Sequence, residues 1–523
     1  MLAKVYSAGL FGIDAYPIEI EVDISGGLPA ITLVGMADTC IRESRERVKS
    51  AIKNSGFDWP QGRITVSLAP SNIKKEGACF DLPIALGILF ASQQLNSQIL
   101  ADCCLLGELS LDGTLRPVQG ILPISIHLSK SKIKNLLLPW QNAKEAGITK
   151  DIFVRPIKTL REAVEFLNNP EIIPSFKLDI ENLFKQNSSY NVDFSEVRGQ
   201  YSAKRAIEIA AAGKHNILMI GPPGSGKTML AKRIPTIMPD LTPEEACEIT
   251  KIHSVMGLLA VNQGLIAKRP FRSPHQSISN AALTGGGSLP MPGEISLAHH
   301  GILFLDELPE FRRDCLEAMR QPLEDATVRI CRVIKSLTFP ADFMLVCAMN
   351  PCPCGSLGQT KSICRCAANQ VYKYRSKISG PLLDRINIHI EIPAAKYQEL
   401  SSNLPAESSS QIKERVNNAR VIQKDRFSAK IIGGSAANCG GSNENIFYNA
   451  KMSHKQVRKF CCLGKEESEL LKTAMSELNF SARAYDKILK VSRTIADLAG
   501  SQDIKTEHLS EAVQYRSLDR GFF

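Results

Sequence analysis

Eight consecutive residues carry the most specific chemistry in the chain. Gly221-Pro222-Pro223-Gly224-Ser225-Gly226-Lys227-Thr228 has the form G-x-x-x-x-G-K-T. Glycines in this pattern let backbone N–H groups converge on phosphate oxygens. The lysine reaches the β- and γ-phosphates, and the hydroxyl beside it can ligate Mg²⁺. Asp306 and Glu307 follow the apolar run Gly301–Leu305. In phosphoryl transfer the first carboxylate would hold Mg²⁺ through water and the second would polarise the attacking water. Asn350 ends another apolar run, Phe343–Met349, where its amide could orient that water. Arg385, in SGPLLDRINIHIEIP, and Arg483, in LNFSARAYDKILK, come later. A single arginine is more often a surface or ion-pair residue. Two of them after a phosphate loop and an acidic strand invite roles as γ-phosphate sensors, Arg385 from a neighbouring subunit and Arg483 from the chain's own helical lid.

Cys352, Cys354, Cys364 and Cys366 form C-x-C-x9-C-x-C. Zinc takes four thiolates tetrahedrally, and paired cysteines on two turns can supply them. One residue between partners is tighter than the usual two to four, and Pro351, Pro353 and Gly355 stiffen the first pair. The alternative is four reduced cysteines in an irregular loop. Between residues 329 and 380, Arg329, Arg332, Lys335, Lys361, Arg365, Lys373, Arg375 and Lys377 face a single acid, Asp342. Such a patch suits a polyanion or is simply a solvated face. Arg329–Pro340 reads as a hairpin with a basic, apolar tip that holds Arg332 and Lys335. His275, His299 and His300 read as structural or surface residues without a metal.

These residues need elements to position them. The run Asn216–Ile220 reads as a buried strand entering the phosphate loop, and a helix begins at MLAKRI after it. Asp38–Asn54 reads as an amphipathic helix, Asp81–Gln93 as a more apolar one, and Tyr16–Ile24 and Arg63–Leu68 as strands. Residues 1–170 then form an α+β domain, 171–195 a linker, 196–395 an α/β nucleotide-binding core and 396–523 a helical domain, broken by a Gly/Ser/Asn-rich stretch at Gly433–Asn445. In 523 residues, 44% are hydrophobic and 22% charged, which excludes disordered, collagen-like and small disulfide-scaffold classes. Lys plus Arg is 63 and Asp plus Glu 53, a net charge of +10. Residues 1–170 hold 18 basic and 17 acidic side chains, so the excess lies further on. No window approaches ~18 uninterrupted apolar residues, so no membrane span is expected. Asp14, Glu19, Glu21 and Asp23 sit where a signal peptide would need an apolar core. A cytoplasmic protein is expected, its 15 cysteines reduced, buried or metal-bound.

The order of phosphate loop, Asp-Glu strand, strand-tip Asn, Arg in LLDR and helical-domain Arg resembles AAA+ ATPases, in the branch that holds magnesium-chelatase ATPase subunits and minichromosome-maintenance helicases. GEISLAHHGILFLDELPEF, NPCPCG, CRC, SGPLLDRINIHIEIP, SARAYDKILKVSRTIADL and EAVQYRSLDR resemble the ComM family of bacterial competence proteins, also called YifB-type or magnesium-chelatase-like. GMADTCIRESRERVKSAIKNSGF, ITVSLAPSNIKKEGACFDLPIALGIL and GELSLDGTLRPVQGI extend the resemblance over nearly the whole chain. It implies an AAA+ core with a helical lid, preceded by a Lon-protease-like domain. It further implies an ATP- and Mg²⁺-dependent ring, a hexamer, that acts on single-stranded, double-stranded or branched DNA. Family members drive branch migration during natural transformation. Gly433–Asn445 departs from the family's Arg/Gln-rich sequence. A Lon-type protease needs a Ser nucleophile and a Lys base. Cys79 stands at the Ser position and Leu122 at the Lys position, with Lys74, Lys75 and His127 as neighbouring bases. Leucine accepts no proton, so an inactive scaffold is expected. Two functions fit this sequence: a DNA motor, or a chelatase-like or chaperone-like ATPase that remodels a protein partner.

Overall fold

The computed structural model describes residues 2–516, apart from 37, 76, 180–183, 185–189, 262, 288–289, 332–335, 359–362, 395–405, 429–447 and 479. Arg332, Lys335, Lys361 and the stretch Gly433–Asn445 therefore lie outside the described residues. The chain divides into two compact units that are not consecutive in sequence. One holds residues 1–188, 242–267 and 289–292, and the other holds 189–241, 268–288 and 293–523.

The first unit is built on a mixed sheet. Strand β1 (Leu2–Phe11) folds back on β2 (Asp14–Ser25), and Gly12 at φ +63° supplies the left-handed backbone that a two-residue hairpin needs. With β3 (Ala30–Val34), β4 (Arg63–Ala69), β5 (Cys103–Leu105), β6 (Asn135–Pro139) and β7 (Phe153–Ile157), the order is β3-β4-β2-β1-β5-β6-β7. β1–β2 and β2–β4 are antiparallel, and the remaining pairs are parallel. The helix Thr39–Asn54 opens on Asp38, whose carboxylate accepts the Ile41 N–H at 2.8 Å. The helix Asp81–Ala91 is apolar nearly all round because it is buried. A Cβ at Gly87 would lie 2.7 Å from Val22, so only glycine allows this close approach to the sheet.

The expected linker divides between the units. Phe176 bonds Val154 of β7 at 2.9 Å in the first unit, and Phe194 is fully buried in the core of the second. Each aromatic gains burial by joining the unit beside it. The helix Pro243–Val255, capped reciprocally by Thr242 and Glu245, packs with the first unit although it follows the phosphate loop in sequence.

The second unit holds β8 (Ile217–Ile220), β9 (Phe271–Arg272), β10 (Ile302–Leu305), β13 (Met344–Met349) and β14 (Ile388–Glu391), all parallel, in the order β9-β10-β13-β8-β14. Their continuous apolar runs follow from cover on both faces. Ile217, Met219, Phe304 and Val346 point into one core, and Leu218, Leu303, Leu305 and Leu345 into another. The first core is shared with the helices Tyr201–Gly213, Lys227–Ile237, Ser409–Ser428 and Ala482–Leu498. Before β13, β11 (Thr327–Cys331) pairs antiparallel with β12 (Ser336–Pro340), which is the expected hairpin. Among the described residues no helix is long and apolar enough to cross a membrane.

Candidate functional site

The phosphate loop, the Asp306–Glu307 strand end and the Asn350 strand end meet at the carboxyl ends of the parallel strands. β8 runs out into the phosphate loop, and the Gly221 N–H bonds the Met349 carbonyl at 3.2 Å, tying the loop to the end of β13. A Cβ at Gly221 would lie 2.3 Å from the Ile392 carbonyl oxygen, so the position admits only glycine. Gly226 takes φ +87° and turns the chain into the helix that starts at Lys227. Lys227 is buried, and its ammonium donates to the Gly221 and Pro222 carbonyls at 2.7 and 2.8 Å, with Asn350 Oδ1 at 3.4 Å. Burial lowers its pKa, while Asp306 and Glu307 oppose that shift. The Thr228 hydroxyl donates to Asp306 Oδ2 at 2.7 Å. That pair presents a hydroxyl and a carboxylate, a hard-oxygen donor set that fits Mg²⁺.

Glu307 follows directly. Its N–H donates to the Asp306 Oδ1 at 3.0 Å, and its backbone sits at φ +52°. A non-glycine residue in that region is held at a cost of order 1–3 kcal/mol, as often happens at functional positions.

Arg385 lies at the other end of the sheet. β8 and β14 are parallel with Ile217 opposite Ile388, so the turn before Ile388 sits where β8 begins. The Asn216 side-chain amide donates to the Arg385 carbonyl at 2.9 Å. Four strand residues, roughly 13 Å of rise, separate that point from the phosphate loop. The guanidinium bonds the Pro381 carbonyl at 2.6 Å and pairs with Glu324. Arg483 opens the helix Ala482–Leu498 and bonds Asp384 at 3.3 Å, with its side chain 67% exposed. Its helix starts beside Asp384, which places it with Arg385 and not with Lys227.

Next to Asn350 the four cysteines come together. All four sulfurs lie within 4.8 Å of one another. Cys352 is 3.3 Å from Cys354 and 3.6 Å from Cys364, and Cys354 is 3.6 Å from Cys364. Thiolates arranged tetrahedrally at a Zn–S distance of 2.3 Å stand about 3.8 Å apart, so the cluster has the dimensions of a zinc site. The Ser356 N–H and the neighbouring thiols bring the Cys354 thiol down to about 6. His299 is engaged otherwise, its Nδ1 accepting the Asp342 N–H at 2.9 Å.

In the first unit the protease positions hold no catalytic pair. Desolvation and the Asp81 carboxylate push the Cys79 thiol up to about 12, leaving it protonated. Leu122 is fully buried. Lys75 is buried as well, and its ammonium is spent on the Pro70 carbonyl. Three further features carry no local sequence signal. The edge strand Phe271–Arg272 has only two residues. Arg272 and Glu294 pair at 2.6 Å across a loop. Tyr374 is buried against the Asn350 backbone.

Three family matches run in chain order across both units. A family described as magnesium chelatase, subunit ChlI, matches residues 193–400. The family described as subunit ChlI of Mg-chelatase matches residues 20–142, and that of the ChlI C-terminal region matches residues 406–516. Competence protein ComM of Haemophilus influenzae is 42% identical over 521 residues, covering 99% of this chain and 98% of that protein. YifB of Escherichia coli is 42% identical over the same span. A Lon protease of Methanosphaera stadtmanae is 27% identical over 156 residues, covering 28% of this chain and 19% of the protease, a partial likeness at the N-terminal end. The chain belongs to the ComM/YifB family of magnesium-chelatase-like AAA+ proteins.

Proposed function

We propose that the chain is an ATP hydrolase that works as a ring of identical subunits, a hexamer by resemblance, and moves DNA. Its task on this reading is branch migration of recombination intermediates during natural transformation. One observation carries the reading. Lys227, Thr228, Asp306, Glu307 and Asn350 gather at the carboxyl ends of the parallel strands, while Arg385 and Arg483 stand together at the amino ends. A subunit arranged this way brings neither Arg385 nor Arg483 to its own phosphate loop, and the charge that develops on the γ-phosphoryl group calls for such a cation beside Lys227. A second copy packed end to end supplies it.

In this mechanism the loop N–H groups and Lys227 hold the phosphates, and Thr228 and Asp306 would hold Mg²⁺, which would neutralise phosphate charge. Glu307 takes the proton of the attacking water, and Asn350 orients that water. Arg385 and Arg483 of the adjoining copy stabilise the leaving charge. The helices after residue 406 serve as the lid, and the β11–β12 hairpin reaches DNA through Arg332 and Lys335. The first unit is a scaffold without peptidase activity.

The test is ATP turnover measured without nucleic acid and with single-stranded, double-stranded and four-way-junction DNA. Stimulation by DNA, strongest on junctions, is expected. Turnover unmoved by every DNA form would leave the second reading, a chelatase-like or chaperone-like ATPase that acts on a protein partner. That alternative has support of its own in the magnesium-chelatase subunits whose families match the chain.

A further inference from the structure

The four-cysteine knuckle is not an appendage. It is joined to the phosphate site at several places. Cys352 is fully buried and follows Asn350 by one proline. The carbonyl of that proline, Pro351, accepts from Arg375 Nε and Nη2 at 3.2 and 3.1 Å. Arg375 ends the helix Ala368–Arg375, and the residue before it, Tyr374, is buried and meets the Asn350 backbone with its hydroxyl. Just past that helix, Lys377 pairs at 3.1 Å with Glu310, in the turn that follows Glu307. On the other side, the Gly355 N–H closes a turn onto the Cys352 carbonyl at 2.9 Å with φ +77°. A Cβ at Gly355 would lie 2.6 Å from Pro223 Cδ, so this turn rests directly on the phosphate loop.

We infer that the knuckle, holding one zinc ion through Cys352, Cys354, Cys364 and Cys366, is the positioning device for Asn350 and for the Pro223 side of the phosphate loop. ATP turnover then requires the metal, whereas ATP binding does not. The cause is geometric. Four thiolates on one cation fix both turns of the knuckle, and through Pro351 and Gly355 they fix the amide and the loop wall, as outer-shell groups fix the ligands they support. Without the cation the thiols repack, Asn350 loses its aim, and the water is no longer held in line. Lys227 and the backbone N–H groups, which hold the phosphates, stay in place. The inference rests on the ATP-hydrolase reading above.

The experiment uses the full chain. Zinc is measured by elemental analysis, affinity with a fluorescent ATP analogue, turnover with ATP and Mg²⁺, and folding by thermal melting. The wild type should hold one zinc per chain. Stripping with a zinc-selective chelator, or the pair Cys364→Ser and Cys366→Ser, should lower kcat by roughly 10–100-fold. Analogue affinity should stay within about threefold, and added zinc should restore the stripped wild type but not the variant. Gly355→Ala separates the contact from the metal. It should keep its zinc and stay folded, with a melting midpoint lowered by the strain of alanine at φ +77°, yet lose turnover beyond what that lowering explains at the assay temperature, because the added methyl lifts the turn off Pro223. Three results overturn the inference while wild-type turnover is normal: no zinc in the wild type, full kcat in zinc-free protein, or full kcat in Gly355→Ala. Equal losses of affinity and kcat on stripping would also overturn it, since they indicate general disruption. A wild type that binds zinc but hydrolyses no ATP defeats the hydrolase reading and this inference together, and that result is visible before any variant is made.

Discussion

At the scale of residues, the carboxylates and the lysine make separable demands. Lys227→Ala removes a charge-assisted donor at the phosphates, worth about 1.5–3 kcal/mol. ATP-analogue affinity should fall by at least roughly 10–100-fold, read by fluorescence titration. Glu307→Gln keeps the shape and loses the base. Its kcat should drop roughly 10²–10⁴-fold while affinity holds, and wild-type turnover in that variant would remove Glu307 from its role. The phosphate loop and the Asp-Glu strand end were legible in the sequence because both are written in local patterns. The positive φ of Glu307 was not, since no residue type announces it. Nor was the placement of Arg483, which depends on where the helix Ala482–Leu498 docks, a contact between residues 384 and 483.

Helices and strands add a dependence on acidity. The helix Tyr201–Gly213 ends just before His215, which is fully buried and shares a hydrogen bond of 2.8 Å with Thr494 of the helix Ala482–Leu498. Burial, aided by Lys490, lowers its pKa from 6.5 to about 3. The folded state therefore favours the neutral ring. The stability this gives is complete above the unfolded value near 6.5 and is lost as pH falls toward 3. Between pH 6.5 and 4.5 the loss is roughly 2–3 kcal/mol at 1.36 kcal/mol per unit. Denaturant melts of wild type and His215→Gln across that interval should diverge in slope, with the variant flatter; parallel slopes would clear His215 of the effect. The strands themselves were legible. Continuous apolar runs such as Ile217–Ile220 and Ile302–Leu305 end at glycine or carboxylate and are buried throughout. Phe271–Arg272 was not, because two residues carry no period.

For the whole molecule, the opposed ends of the sheet make a prediction about mixtures. Arg385→Ala should bind ATP normally and hydrolyse it roughly 10³–10⁵-fold more slowly. Lys227→Ala should be nearly inactive because it holds ATP weakly and has lost the cation at its β- and γ-phosphates. Mixed together, the two inactive proteins should regain part of the turnover, since some junctions then pair an intact phosphate loop with an intact arginine. Labelled chains must show that subunits exchange. Exchange without regained turnover would remove Arg385 from a role in trans.

The interleaving of the two units bears on how the chain is made. Residues 242–267 belong to the first unit but leave the ribosome after the phosphate loop. The Ser254 hydroxyl bonds the buried Glu145, which also accepts the Leu122 N–H at 2.8 Å, and the side chain of Gln119 lies against Gly257. A nascent chain that has emerged only to residue 188 thus holds a carboxylate lacking one of its donors, in a core lacking one helix. At ~10 residues per second, the missing segment follows on the order of ten seconds later. During that interval the leading unit is incomplete and exposed to chaperones and proteases. Neither unit can be released whole by a single cut, so any gene fragment ending near residue 188 should yield an aggregation-prone product instead of a free domain.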